Sequence, residues 1–315
     1  NGGQGGIYMG DAMYVKHFPI SEDDAGKKIF INFEGVMGTS NVWVNGVKMT
    51  TKLAEKTGDA TYYGGYLPFV IDISDVAICD GTTENVIVVY ANSKYDPTVP
   101  PGKDPNALDF SYFGGIYRDV TMTITDGVHI TNSCYEDIVA GGGILVDYPS
   151  VSTEVASVYI KTHVRNEHTT AQSVYLVSRI VDADGVTVAE GTTDARSFDA
   201  SSDYSFEQTL TVTNPKLWNL DSPYLHTLVS TVYADGNEVD TVSTVIGIRK
   251  IEMHRDYGLK INGVVQNMLN GVNRHQEYAY IGYALVSTLV ITFVLMLLYD
   301  NFGMEDMLQR VIRDT

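Results

Sequence analysis

Short runs of alternating apolar and polar residues, cut by tight-turn dipeptides, govern what this chain can fold into. Lys28-Ile29-Phe30-Ile31-Asn32-Phe33-Glu34 and Val158 to Val164 alternate with a period near two, the signature of half-buried strands, and Asn85 to Asn92 and Val174 to Val181 read as further strands. Asn45-Gly46, Asp182-Ala183-Asp184-Gly185, Asp235-Gly236 and Asn262-Gly263 stand between or beside such runs. Asn-Gly and Asp-Gly supply the positive φ that two-residue hairpin turns require. Long charged helical runs are missing, and Gly, Tyr, Thr and Val are plentiful, which favours β structure.

At 315 residues the chain has length for two or three cores. The formal net charge of -18 argues against a nucleic-acid partner, which would need clustered Lys and Arg. Cys79 and Cys134 are the two cysteines; their spacing fits no metal motif and they make no disulfide framework. The opening Asn1-Gly2-Gly3-Gln4-Gly5-Gly6 reads as neither an initiating segment nor a signal peptide, so the natural start is expected upstream. The compartment stays open between cytoplasm and periplasm or secretion.

The alternation divides the chain into three parts. Residues 1–125 read as a jelly-roll sandwich of many short strands, including Asn41 to Lys48 and Tyr66 to Ile73, with a Pro- and Gly-rich loop from Tyr95 to Pro105. Residues 126–247 read as an immunoglobulin-like sandwich of roughly seven strands, with Tyr204 to Val212 and Leu225 to Ala234 among them. Trp218, in a corner between Pro215 and Pro223, reads as packing. Residues 248–315 change character: a hairpin at Gly258 to Val265, a candidate strand from Gln266 to Gly271, and then Tyr283 to Tyr299 without a charged residue.

Taken alone, the residues carry no strong catalytic signature: no phosphate-cradling glycine loop, no His-Glu-x-x-His, no nucleophile elbow. His163 and His168 read as surface or satisfied core histidines. Asp109 differs, because it precedes Phe110, Tyr112, Phe113 and Tyr117. A carboxylate accepts hydrogen bonds from sugar hydroxyls, and aromatic faces cover the apolar face of the ring. The competing reading is a turn-capping Asp109 with core aromatics. Gly114-Gly115 reads as a tight bend, and Arg118-Asp119 as a local ion pair.

Several ordered segments resemble glycoside hydrolase family 2, the β-galactosidase and β-glucuronidase group. They are Phe33-Glu34-Gly35-Val36, Val42-Trp43-Val44-Asn45-Gly46, Gly64 to Phe69, Ala91-Asn92-Ser93 and Asp109 to Val120. Leu217-Trp218, Ser222 to Leu228, Gly247 to Glu252 and Gly271-Val272-Asn273-Arg274-His275 continue the series. The resemblance runs collinearly over about residues 7 to 282. It implies the fold already read, followed by the truncated start of a (β/α)₈ barrel. It also implies a retaining hydrolase of terminal β-glycosidic bonds, β-galactosidase-like, acting on a β-linked oligosaccharide or glycoside. By that resemblance Asp109 and His275 contact the sugar, with Asn92 and Asn273 as weaker substrate-binding matches. For Asn92 a structural turn competes with this role, and for Asn273 the shaping of a loop.

Such enzymes use two carboxylates. The family takes both from later barrel strands, so no catalytic residue is expected in this chain; Glu305, in an unrelated polar tail, is not a candidate. No cofactor is required, although the resemblance leaves room for Na⁺ or Mg²⁺ in the full enzyme. Homo-oligomerisation stays open. The apolar stretch at 283–299 has three readings: a short membrane span, a buried element of a divergent barrel, or a truncated, chimeric or frame-shifted end. A membrane partner follows only from the first. The rival to the enzyme is a non-catalytic carbohydrate-binding or adhesion module, membrane-tethered under that first reading.

Overall fold

The computed structural model describes residues 9–52, 61–104, 114–138 and 141–266. All of these fall in one compact unit, and they are nearly all β. In the first sandwich, β1 (Asp11–Phe18), β7 (Asn85–Asn92), β4 (Thr39–Val44) and β5 (Val47–Lys48) form one sheet in the order β1-β7-β4-β5. A second sheet runs β6 (Phe69–Asp72), β2 (Lys28–Phe33), β9 (Val120–Thr125), and a short ladder joins β3 (Val36–Met37) to β8 (Gly115–Ile116). Asn45 and Gly46 take φ 49° and 83° and close the β4–β5 hairpin, as the dipeptide requires.

Ile87, Val89 and Ala91 from β7 meet Val42 and Val44 from β4 and Ile29, Ile31 and Phe33 from β2 in one core. Phe33 stacks on Phe69 with centroids 4.5 Å apart. The expected strand at Tyr66 to Ile73 shortens to Phe69–Asp72. Pro68 has no N–H to give a ladder, and Tyr66 and Leu67 turn back on the Gly64 carbonyl.

The second, immunoglobulin-like sandwich carries nine described strands, where about seven were expected. One sheet holds β10 (Val128–Ile130), β11 (Ile144–Val151), β12 (Val155–Asn166) and β16 (Ser202–Thr213). The other holds β13 (Gln172–Val181), β14 (Thr187–Thr192), β15 (Arg196–Phe198), β17 (His226–Ala234) and β18 (Asn237–Ile246). The three-residue strands β10 and β15 are too short to show a period. β12 and β16 pair without a break from Val155↔Thr213 to Asn166↔Ser202, and alternate residues of β12 face the core.

The two sandwiches meet through β2. Its inward residues fill the first core, while Lys28 and Phe30 on its other face turn to the second sandwich. Phe30 packs edge-on against Tyr135 at 5.1 Å and lies 5.8 Å from the His129 ring. Lys28 Nζ sits 2.5 Å from Asp72 and 3.2 Å from Glu167 of the second sandwich. Burial pushes this ammonium down, but the two carboxylates more than offset it, so it stays above its ordinary value. Glu136, its side chain only 3% exposed, accepts from Lys52 of the first sandwich at 2.9 Å and from Arg165 of the second at 2.7 Å.

A meander of β19 (Ile251–His254), β20 (Gly258–Ile261) and β21 (Val264–Val265) follows. Its Asn262-Gly263 turn is tied to the Trp218 corner: Asn262 Nδ2 donates to the Trp218 carbonyl at 3.0 Å. Arg249 lies over the Trp218 ring at 4.9 Å, so this tryptophan packs as expected. The expected barrel strand, beyond Gln266, and the apolar stretch at 283–299 lie outside the described residues. Among the described residues no helix is long and apolar enough to cross a membrane.

Burial pushes the His129 and His226 imidazoles below the ordinary value of 6.5. A depressed folded pKa gives stability that is present above the unfolded value and lost as pH falls through the folded one. The urea midpoint is therefore expected to fall between about pH 7.5 and about pH 5.5, a window above ordinary carboxylate titration. Asp240, pushed up by burial, acts in the opposite sense. His129→Gln isolates the His129 contribution and should make the fall shallower; an unchanged slope would contradict it.

Candidate functional site

Of the four residues matched to substrate contacts, Asp109, Asn273 and His275 lie outside the described residues, and Asn92 lies within them. Asn92 ends β7 and pairs with Asp11 on one side and Thr39 on the other. Its Oδ1 accepts the Lys94 N–H at 2.9 Å, closing an Asx turn. Its carbonyl sits under Gly38, where a Cβ would come within 2.0 Å of it. The Asn92 side chain therefore closes a turn at the end of β7.

This turn belongs to a rim at one end of the first sandwich. After it, Asp96 accepts from the N–H and hydroxyl of Thr98 at 2.8 and 2.6 Å, bonds that hold its carboxyl below the usual range. Gly65 approaches the Pro100 carbonyl so closely that a Cβ would lie 3.0 Å away. On the far side of residues 105–113, Gly115 and Ile116 pair with Met37 and Val36, one residue before Gly38. Gly115 takes φ 75° with the Tyr14 hydroxyl where a Cβ would reach 2.1 Å; the Gly114-Gly115 bend is real, and its positive φ favours glycine. Tyr117 packs under Gly35, and among the described residues its buried hydroxyl has no hydrogen-bond partner. Arg118 lies over the Tyr117 ring at 5.4 Å and, among the described residues, makes no ion pair with Asp119, contrary to expectation.

Beside Asn92, the Tyr90 hydroxyl donates to Asp11 at 2.7 Å, and Lys94 Nζ reaches the same carboxylate. Lys94 first, and Tyr90 after it, hold the Asp11 carboxyl below its ordinary value. The rim therefore groups a carboxylate, an ammonium and a phenol, chemistry suited to sugar hydroxyls. Sequence reasoning missed Asp11, Tyr14 and Gly38, because only the β1–β7 and β4–β7 pairings bring Asp11 and Gly38 to Asn92, and Tyr14 meets Gly115 only across strands.

Elsewhere His163 is a satisfied core histidine, with Nδ1 2.8 Å from the Thr131 hydroxyl and Nε2 3.1 Å from Asp203. His168 Nε2 lies 2.9 Å from Asp126. Cys79 and Cys134 are free thiols. Among the described residues no group of His, Cys, Asp or Glu has the arrangement of a metal site.

The described residues define a tandem β-sandwich unit whose first sandwich carries a polar rim. Residues 145–249 match the family model described as Glycosyl hydrolases family 2. The chain is 30% identical to a β-galactosidase of Thermoanaerobacter pseudethanolicus over 86% of its own length and 32% of that protein. It is 28% identical to a β-glucuronidase of Formosa agariphila, over 89% of this chain and 27% of the relative. A solved β-glucuronidase from glycoside hydrolase family 2 superposes with TM-score 0.70 at 29% identity, covering 81% of this chain and 26% of that one. The resemblance to family 2 read in the sequence therefore holds over most of the chain, which spans about 30% of the length of these curated relatives.

Gly38→Ala tests the rim. Its Cβ would meet a backbone carbonyl at φ 83°, whereas Gly46, also at φ 83°, has open space around it. Gly46→Ala should cost roughly 1–2 kcal/mol from backbone strain alone. Gly38→Ala should cost clearly more; equal shifts in urea midpoint would refute the close approach.

Proposed function

We propose that this chain forms the sandwich wall of the sugar site in a retaining, β-galactosidase-like glycoside hydrolase. The full protein would cleave a terminal β-glycosidic bond by two-step displacement, one carboxylate acting as nucleophile and one as acid/base. In this reading that pair stands outside the present chain. Asp109 accepts hydrogen bonds from sugar hydroxyls, and His275 lies near the sugar and stabilises the transition state. The position of His275 fits a barrel, where sites gather at the C-terminal ends of strands.

One observation carries the reading: β-galactosidases and β-glucuronidases align along 86–89% of this chain, across both sandwiches. The rim supports it further. Residues 105–113 are flanked by a loop packed on Gly65 and by the β3–β8 ladder, so the segment bearing Asp109 departs from and returns to fixed backbone.

The test is hydrolysis of p-nitrophenyl β-galactoside and p-nitrophenyl β-glucuronide by the full-length protein. Turnover of the galactoside is expected. Asp109→Asn should lower kcat/KM at least about 10-fold, or about 1.4 kcal/mol, without moving the thermal midpoint. Wild-type kinetics in that variant would remove Asp109 from the site. Absence of turnover on both substrates would overturn the hydrolase reading in favour of a binding module.

A further inference from the structure

A cleft of about 540 Å³ opens where the two sandwiches meet, within the range of small-molecule sites. Tyr62, Leu67 and Phe69 of the first sandwich form one wall, and Tyr135 of the second forms the other, with Lys52 and Asp137 supplying charge. Both walls are braced. The Tyr62 hydroxyl donates to the Leu67 carbonyl at 2.7 Å, Tyr62 packs on Phe69 at 4.1 Å, and Phe69 stacks on Phe33. Tyr135 sits on a one-turn helix, Ser133–Glu136, capped by Asn132, whose Oδ1 accepts from the Cys134 and Tyr135 amides. The Asn132 amide in turn donates to Asn32 of the first sandwich at 2.8 Å. At the mouth, Tyr63 and Leu67 are 47% and 65% exposed.

We propose that this cleft is a second carbohydrate site that takes a neutral sugar unit of a β-linked oligosaccharide. Held tyrosine faces offer the apolar side of a pyranose ring its partner, at little entropic cost. Lys52 carries three donors. Glu136 engages one at 2.9 Å, while the ammonium stays 4.5 Å from the Tyr135 centroid, so it can still donate to a hydroxyl. Charge selects the neutral sugar. Glu136 is shared by Lys52 and Arg165, Asp203 takes a second contact from Arg165, and Asp137 adds a further carboxylate, so a uronate would meet no surplus positive charge.

Two other clefts among the described residues lack this combination. One of about 580 Å³ is lined by Lys27, Lys28, Asp75, Arg165, Glu167 and Asp203 without an aromatic ring. Another, of about 480 Å³ beside Leu217 and Ile261, likewise has no aromatic ring. The ligand class rests on the glycosidase reading, but the cleft is tested apart from catalysis.

The experiment is saturation-transfer NMR and calorimetric titration of the full chain with lactose, cellotriose and methyl β-glucuronide. Each is repeated in Tyr63→Ala, Leu67→Ser and Asp109→Asn. The neutral saccharides are expected to bind in the millimolar range and methyl β-glucuronide at least 5-fold more weakly. Tyr63→Ala or Leu67→Ser should weaken the neutral saccharides at least 5-fold with the thermal midpoint unchanged, and Asp109→Asn should leave this binding intact. Binding lost in Asp109→Asn and retained in both mouth variants would place the sugar at the primary site alone and overturn the proposal. So would binding of a Tyr- and Leu-rich peptide, competing with the apolar dye ANS, without saccharide binding. Saccharide binding that follows Tyr63, with no turnover of either p-nitrophenyl glycoside by the full-length protein, would sink the hydrolase reading and leave the cleft standing.

Discussion

A single buried carboxylate fixes how the two sandwiches meet. Glu136 lies almost wholly out of water and is shared between Lys52 of one sandwich and Arg165 of the other. A buried charge is tolerated only when paired, and removing one partner of such a pair typically costs about 3–5 kcal/mol. The arrangement admits little slippage, because each oxygen of Glu136 is committed to a different sandwich. Lys28, between Asp72 and Glu167, repeats the device nearby. Phe30 and Tyr135 fill the space between with apolar contact. The aromatic cleft and the polar cleft on the same junction both owe their walls to this lock.

Much of the fold is legible in the sequence because its signals are local. Asn85 to Asn92 reads as a strand and is observed as β7 over those very residues. The Asn45-Gly46, Asp235-Gly236 and Asn262-Gly263 turns all adopt the positive φ angles that their dipeptides imply. Failures mark places where a distant partner overrides the local pattern. Phe30 breaks the alternation of β2, and only the second sandwich explains why its outer face is apolar. Tyr66 to Pro68 reads as strand by composition but is bent by Gly64 and by the missing proline donor. β10 and β15 are held by the neighbours they pair with, β12 and β13, and three residues carry no period.

The site was less legible, for a related reason. Asn92 matches a family segment by its neighbours in sequence, and the turn its side chain closes on Lys94 is visible only in the structure. Asp11 and Gly38 meet that turn, and Tyr14 meets Gly115, only through strand pairing, so nothing local announces them. The Glu136 lock is invisible in the same way: its partners are 84 and 29 residues distant along the chain. What sequence reading did supply was the ordered series of family 2 segments. That series, more than any single residue, links the rim to sugar chemistry.

The central claim is that the sandwich unit serves a retaining glycosidase. The most direct measurement is proton NMR of the hydrolysis of an aryl β-galactoside by the full-length protein, read before mutarotation intervenes. The account predicts that β-galactose appears first, as double displacement requires. First appearance of α-galactose would mean inversion through a single displacement, and would contradict it.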